Sequence, residues 1–225
     1  MSNVGFRIRT RITRPPQDLI ERFRGIPVAN IADNLNRMFC IDAGISAMNN
    51  APLLGTAFTV KTRPGDNLLL HKAIDMAAPG DIIIVDAQGE TVNSLIGELM
   101  ILWAQRRGIA GFVIDGAVRD SGAIRNFTIP VYAAGVTPMG PYKDGPGEIN
   151  EPVSCGNVVI LPGDIIVGDE DGVVVIRPAE AENVLAKAQA TIKKEAEIME
   201  AIGNGTWDRT WVDKALKEKG CEFVD

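Results

Sequence analysis

Short runs of consecutive apolar residues, each closed by a glycine or proline turn, set the pattern of this chain. Ile82-Ile83-Ile84-Val85, Phe112-Val113-Ile114, Val131-Tyr132-Ala133-Ala134 and Val173-Val174-Val175-Ile176 carry no polar alternation, so they read as strands covered on both faces. Thr56 to Thr62 is a further β-branched and apolar stretch. Between the first strands the period changes. After Pro64-Gly65-Asp66, Leu70, Ile74 and Ala77 share one face of a helix, and a second helix runs to Arg106-Arg107 before Gly108 stops it. Upstream, Asp18 to Arg24 and Val28 to Arg37 form two short helical patterns parted by Gly25-Ile26-Pro27. Downstream, Gly135 to Gly147 is an irregular Gly/Pro-rich loop, and strands at Asn157 to Leu161 and Ile165 to Val167 follow with no helix between them. A long charged helix from Ala179 to about Ala201 precedes Gly203-Asn204-Gly205 and a tail.

This strand-rich stretch turns the expectation from a doubly wound sheet to a mixed β/β/α arrangement of the α/β class. Three segments are expected: an N-terminal helical arm over residues 1–50, an α/β catalytic core over 51–178, and a C-terminal helix and tail over 179–225 that reaches a neighbouring subunit. Pro79-Gly80-Asp81-Ile82-Ile83 recurs as Pro162-Gly163-Asp164-Ile165-Ile166, which reads as shared turn chemistry.

Composition narrows the chemistry. The 225 residues are 46% hydrophobic, enough for a sizeable core, and the formal charge of -6 with no lysine-arginine cluster argues against a nucleic-acid partner. Three scattered cysteines without a C-x-x-C suggest neither a disulfide framework nor a zinc site, and the simplest setting is a reducing cytoplasm. Arginines at 7, 9, 11 and 14 are followed by no apolar signal core. The longest uncharged run, Asn126 to Tyr142, is broken by three prolines and will not span a membrane. No dinucleotide or P-loop fingerprint occurs, and one histidine cannot build a histidine-rich metal site.

Chemistry concentrates at Gly111 to Asp120, where a buried-type strand meets a glycine turn and ends on Arg119-Asp120. In open α/β sheets ligands bind beyond the carboxyl ends of strands. A guanidinium offers a planar fork to a carboxylate, and an adjacent carboxylate can hold a hard divalent cation while leaving positions for water and substrate. A small 2-oxo acid satisfies both groups. Upstream, Gly97-Glu98-Leu99-Met100 offers backbone N–H groups for an anion if Gly97 starts the helix; if Asn93 or Ser94 caps it, those amides are already used. His71 is read as a structural histidine outside the site, and Trp103 as packing.

The two motifs, Gly97-Glu98-Leu99-Met100 and Asp115-Gly116-Ala117-Val118-Arg119-Asp120, resemble in letters and spacing the class II 4-hydroxy-4-methyl-2-oxoglutarate aldolases. That family also contains the regulator of ribonuclease E activity. The resemblance runs from about Val28 to about Gly205 and includes Gly65-Asp66-Asn67 and His71-Lys72-Ala73. It implies an RraA-like β/β/α swivelling-type domain assembled as a homotrimer or homohexamer, with the site between subunits. It further implies a lyase that releases pyruvate from a 4-hydroxy-2-oxo diacid and decarboxylates oxaloacetate, using Mg²⁺ or Mn²⁺. The Gly97 to Met100 backbone and Arg119 would hold pyruvate, Asp120 would bind the metal, and Glu98 would stand beside a water that relays the proton. A neighbour's C-terminal helix would add an acidic residue, with Glu195 the nearest candidate ahead of Glu197 and Glu200. Some family aldolases carry aspartate where this chain has Glu98. The other reading is a non-catalytic, protein-binding regulator of ribonuclease activity.

Overall fold

A computed structural model describes residues 3–224; Met1, Ser2 and Asp225, the outer ends of the arm and the tail, lie outside the described residues. In chain order the elements are β1 (Phe6–Ile8), α1 (Gln17–Glu21), α2 (Val28–Asp33), β2 (Ser46–Ala47), β3 (Leu53–Thr62), α3 (Leu68–Met76), β4 (Asp81–Ile96), α4 (Glu98–Arg106) and β5 (Gly111–Val118). They continue with α5 (Ser121–Ile124), β6 (Val131–Val136), β7 (Gly147–Ile149), β8 (Val153–Cys155), β9 (Val158–Ile160), β10 (Ile165–Asp169), β11 (Gly172–Ile176), α6 (Ala181–Gly203) and α7 (Thr210–Glu218).

The apolar runs become the middle of a nine-stranded sheet, where β3, β4, β5 and β6 lie parallel in that order. Their side chains alternate between two cores. Ile83, Val85, Phe112 and Ile114 face α3 and α4, while Ile82, Ile84 and Val113 face the β8–β9 hairpin through Val153, Cys155 and Ile160. This is the β/β/α layering, and it explains why these strands show no polar alternation: neither face meets water. A third core joins α1, α2 and the first turns of α6 to β10 and β11 through Phe23, Ile31, Val174 and Leu185.

Both Pro-Gly-Asp turns flank β3 and do the same local work. Asp81 Oδ2 accepts from the Ala78 N–H at 2.8 Å, and Asp164 Oδ2 accepts from the Leu161 N–H at 2.7 Å. Each buried carboxylate also pairs with an arginine, Asp81 with Arg14 and Asp164 with Arg177. The glycines take φ of 88° and 96°, a left-handed backbone that favours glycine.

Two elements differ from the sequence expectation. Phe6–Ile8, within the arginine-rich start, pairs parallel with β7. The segment after Val85 is not simply a loop: β4 continues through irregular pairing with β5 until Ile96. The chain divides into two compact units, Met1–Ala188 and Gln189–Asp225. In the second, the end of α6 is followed by α7, whose Trp211 is exposed.

Candidate functional site

Adjacent parallel strands bring the two sequence motifs together. In the β4–β5 register Ile96 stands opposite Val118, so the residues just beyond each strand, Gly97 on one and Arg119-Asp120 on the other, are neighbours. The Arg119 N–H donates to the Ile96 carbonyl at 3.0 Å and ties the two strand ends.

Gly97 is the N-cap of α4, which settles the two sequence alternatives in favour of a helix starting at Glu98. Its φ of -149° is extended backbone open to any residue, so the need for glycine is steric. A Cβ there would collide with Asp120 Oδ2 and lie 2.8 Å from Arg119 Cγ. The first intrahelical bond runs from the Ile101 N–H to the Gly97 carbonyl at 3.2 Å, which leaves the earlier amides without helical acceptors. Asp120 Oδ2 takes the Glu98 N–H at 2.9 Å. The Leu99 and Met100 amides remain for an anion, which the positive end of the helix also favours.

Asp120 has φ 59° and ψ 36°, a left-handed conformation that aspartate tolerates better than most residues. Its carbonyl accepts from the Ala123 and Ile124 N–H groups at 2.9 and 3.1 Å, so the following turn holds this geometry. Arg119 Nε lies 3.7 Å from Asp120 Oδ2, and both side chains are nearly half exposed. Among the described residues no group of three or more His, Cys, Asp or Glu could hold a metal ion. A cation at Asp120 would therefore rely on one carboxylate, with substrate and water completing its oxygen shell. That suits Mg²⁺ or Mn²⁺ better than zinc.

Beside this junction lies a cavity of about 200 Å³, lined among others by Gly97, Leu99, Met100, Arg119, Asn67, His71 and Lys143. Its size suits a small metabolite, being below the range of drug-sized ligands. Glu98 and Asp120 are not among its lining residues; Glu98 is solvent-exposed at the helix start. Glu195 lies on α6 in the C-terminal unit.

The sequence reading placed His71 outside the site, yet it lines this cavity, as do Asn67 and Lys143. Asn67 and His71 are one helical turn apart, joined by the His71 N–H to the Asn67 carbonyl at 3.0 Å, a spacing that the sequence does display. Burial, and then the charge of Lys143, hold His71 below its ordinary value, against the opposing influence of Asp75. Asn67 Nδ2 donates to the Leu95 carbonyl at 2.7 Å, which fixes the amide orientation, and its buried Oδ1 has no partner among the described residues. Trp103 is half exposed rather than packed away, and its Nε1 donates to Asp75 Oδ1 at 3.2 Å.

A larger cavity of about 650 Å³ lies along Lys61, Asp86 and Asp115, which stand side by side on β3, β4 and β5, and also takes in Asp42. Burial first, then Asp86 and Asp42, push the Asp115 carboxyl above its usual range, opposed by the Gly156 N–H. An anionic acid there would face three carboxylates and one lysine. The smaller cavity, lined by no carboxylate, is the better receptor for an acid.

Comparison with known proteins bears on the family and the fold. The Aldolase/RraA family model matches residues 28–175. A Halalkalibacterium halodurans protein named "Putative 4-hydroxy-4-methyl-2-oxoglutarate aldolase" is 44% identical over 203 residues, covering 90% of this chain and 95% of its own. An uncharacterized Pseudomonas syringae protein of known structure superposes with a TM-score of 0.78 at 26% identity, over 87% of this chain and 97% of that one. The structure of Streptomyces coelicolor RraAS2, described as an unusual member of the RNase ES inhibitor RraA family, gives 0.76 at 26% identity, over 83% and 98%. No helix among the described residues is long and apolar enough to cross a membrane.

Proposed function

Because this chain belongs to the Aldolase/RraA family, we propose that it is a divalent-metal-dependent lyase that cleaves 4-hydroxy-4-methyl-2-oxoglutarate or a related 4-hydroxy-2-oxo diacid to pyruvate, and that it decarboxylates oxaloacetate. The observation that carries this reading is the junction of Gly97, Arg119 and Asp120 beside a cavity lined by donors and cations. The Leu99 and Met100 amides and the Arg119 guanidinium bind and orient the oxo acid. As the carbon–carbon bond breaks, Arg119 stabilises the negative charge that builds on the former keto oxygen. Asp120, whose Oδ2 accepts the Glu98 amide, would hold the cation. Mg²⁺ or Mn²⁺, when bound, supplies Lewis-acid polarisation of the keto group. Glu98, exposed at the helix start, stands beside the route of the transferred proton. In a homotrimer or homohexamer, Glu195 of a neighbouring subunit is the residue proposed to complete the acidic side of the site.

Oxaloacetate belongs in the same proposal, since loss of its distal carboxylate leaves the same pyruvate enolate. The competing reading, a protein-binding regulator of a ribonuclease, is favoured by the description of the Streptomyces relative. Pyruvate release from both acids by the purified protein, with Mg²⁺ or Mn²⁺ and then with chelator, separates them. The lyase reading expects metal-supported turnover that chelator abolishes. Background rates under both conditions, with tight ribonuclease binding, would favour the regulator.

A further inference from the structure

At the turn between β10 and β11 lies a cavity of about 360 Å³ whose lining residues are all neutral or acidic. Asn49 and Pro52 come from the segment between β2 and β3, Tyr132 from β6, and Asp169, Glu170 and Asp171 from the turn itself. None of them lines the cavity beside Gly97 and Arg119. Among the described residues no lysine or arginine pairs with the three carboxylates. Asp169 is committed to the backbone, Oδ2 to the Val28 N–H and Oδ1 to the Asp171 N–H, both at 2.9 Å. Glu170 and Asp171 carry the unanswered charge.

Asn49 is only 6% exposed, and its Nδ2 donates to the carbonyls of Ile124, Phe127 and Ile129 at 3.1, 3.3 and 2.8 Å. Those carbonyls fix the amide, because a flip would set oxygen against oxygen. Oδ1 is thereby held on the opposite side, buried and with no partner among the described residues. A buried acceptor left unpaired is costly, so this atom calls for a donor. Tyr132 adds a second acceptor. Its hydroxyl donates to the Asp169 carbonyl at 2.8 Å, and burial, then Asp169 and Glu170, push its pKa up, so the phenol stays protonated with only a lone pair to offer. Among the described residues no three carboxylates gather as a metal ion requires, which points to an organic cation rather than a bare one.

A second cavity, of about 280 Å³, shares Pro52 and Asp169 with the first and is walled by Phe23, Ile26, Leu54 and Val167. Arg24 also lines it, with its guanidinium paired to Glu21 at 2.7 Å. We propose that the two cavities together bind a small primary amine with an apolar body. Its ammonium donates to Asn49 Oδ1 and Tyr132 Oη under the charge of Glu170 and Asp171, and its hydrocarbon lies against Pro52 and Leu54. The larger cavity at Asp86 and Asp115 is acidic too, but Lys61 answers part of its charge, and no buried side-chain atom among its described lining residues lacks a partner.

The test uses hexylamine and hexan-1-ol, equal in chain length and different in the charged end. Each is titrated into the full chain at about 0.15 M salt, and backbone and side-chain amide signals are followed by NMR. The amine is expected to bind about tenfold tighter than the alcohol and to move the Asn49 Nδ2 signals, since it engages the other end of that amide. Ethylamine, too short for the apolar cavity, should bind about tenfold more weakly than hexylamine. Substituting Asn49 would also remove the anchor of the 124–129 loop, so its amide is read directly. The variant is instead Glu170→Gln with Asp171→Asn, two exposed changes, which should lower amine affinity by about fivefold or more and leave the alcohol unchanged. Equal affinity for amine and alcohol would reveal an apolar groove without a cation receptor and overturn the proposal. So would amine shifts centred on Asp86 and Asp115 with Asn49 unmoved, or no binding of hexylamine; the Asn49 oxygen would then serve a water. Pyruvate release plays no part in the readout, so failure of the lyase reading leaves this site standing.

Discussion

Arg14 and Asp81 meet as a two-point pair, Nε to Oδ1 at 2.8 Å and a terminal guanidinium nitrogen to Oδ2 at 2.6 Å, with the aspartate buried. Arg119 and Asp120 are adjacent in sequence yet stand 3.7 Å apart with both side chains nearly half exposed. In the first pair both carboxylate oxygens are taken, and Oδ2 also accepts the Ala78 N–H, so the group serves the turn and has nothing left to offer. In the second, Oδ2 caps α4 and Oδ1 has no protein donor among the described residues. The same two residue types thus make a clamp in one place and, in the proposed reading, a receptor in the other. What differs is burial and how many valences the protein itself fills.

Substitution at the aspartates should separate these roles most sharply. Asp120→Ala is expected to lower metal-supported pyruvate release by about a thousandfold or more, the order of losing a Lewis acid worth several kcal/mol. Its melting temperature should fall by only about 2–4 °C, from the lost α4 cap worth about 1 kcal/mol. Asp81→Ala should do the opposite, costing about 3 kcal/mol, or roughly 10 °C in Tm, since it leaves a partly buried arginine and an amide without their acceptor. Thermal melts and steady-state rates on both variants check the contrast; matching profiles would contradict it.

Next in size is Arg119→Ala, for which kcat/KM should fall by about a hundredfold, as when a donor to a developing oxyanion is removed. An unchanged value would reject its role. Gly97→Ala tests the close approach of the helix start to the pair. The added methyl must displace Asp120 or Arg119, and a loss of activity of about tenfold is expected alongside about 1 kcal/mol of stability. Wild-type rates in this variant would mean that the carboxylate is free to move without consequence.

The smallest effect is a titration. His71 is the only histidine in the chain, so one imidazole signal reports it by NMR. Its midpoint should lie below the ordinary histidine value, chiefly because of burial and next because of Lys143, and should rise in Lys143→Met. The folded state disfavours the charged ring. The associated stability is present above the ordinary value and declines as pH falls through the lowered midpoint. A midpoint at or above the ordinary value would contradict the placement of Lys143 next to the ring.

The sheet was legible because its information is local. Ile82 to Val85 and Phe112 to Ile114 lack polar alternation, and the structure buries both faces. The Arg119-Asp120 turn could likewise be read from a strand running into glycine. What sequence did not reveal depends on long-range closure. The loop carrying Lys143 is folded over the site by the Ser94 N–H to the Met139 carbonyl at 2.8 Å, Asn93 Nδ2 to the Gly140 carbonyl at 2.7 Å, and Asn67 to Tyr142. These bonds join residues 45 or more positions apart, and no local period announces them. β1 escaped notice for a similar reason: it is three residues long and exists through its pairing with β7. His71 displayed a helical spacing to Asn67, but only the cavity gives that spacing a purpose.

The central claim is that Arg119 and Asp120 together receive an oxo acid and a cation beside Gly97. A crystal of the protein soaked with pyruvate and Mg²⁺ tests it most directly. The account predicts the pyruvate carboxylate on the Leu99 and Met100 amides, the Arg119 guanidinium on its keto oxygen, and the cation on Asp120. Pyruvate bound elsewhere, with Arg119 and Asp120 both turned to solvent, would contradict it.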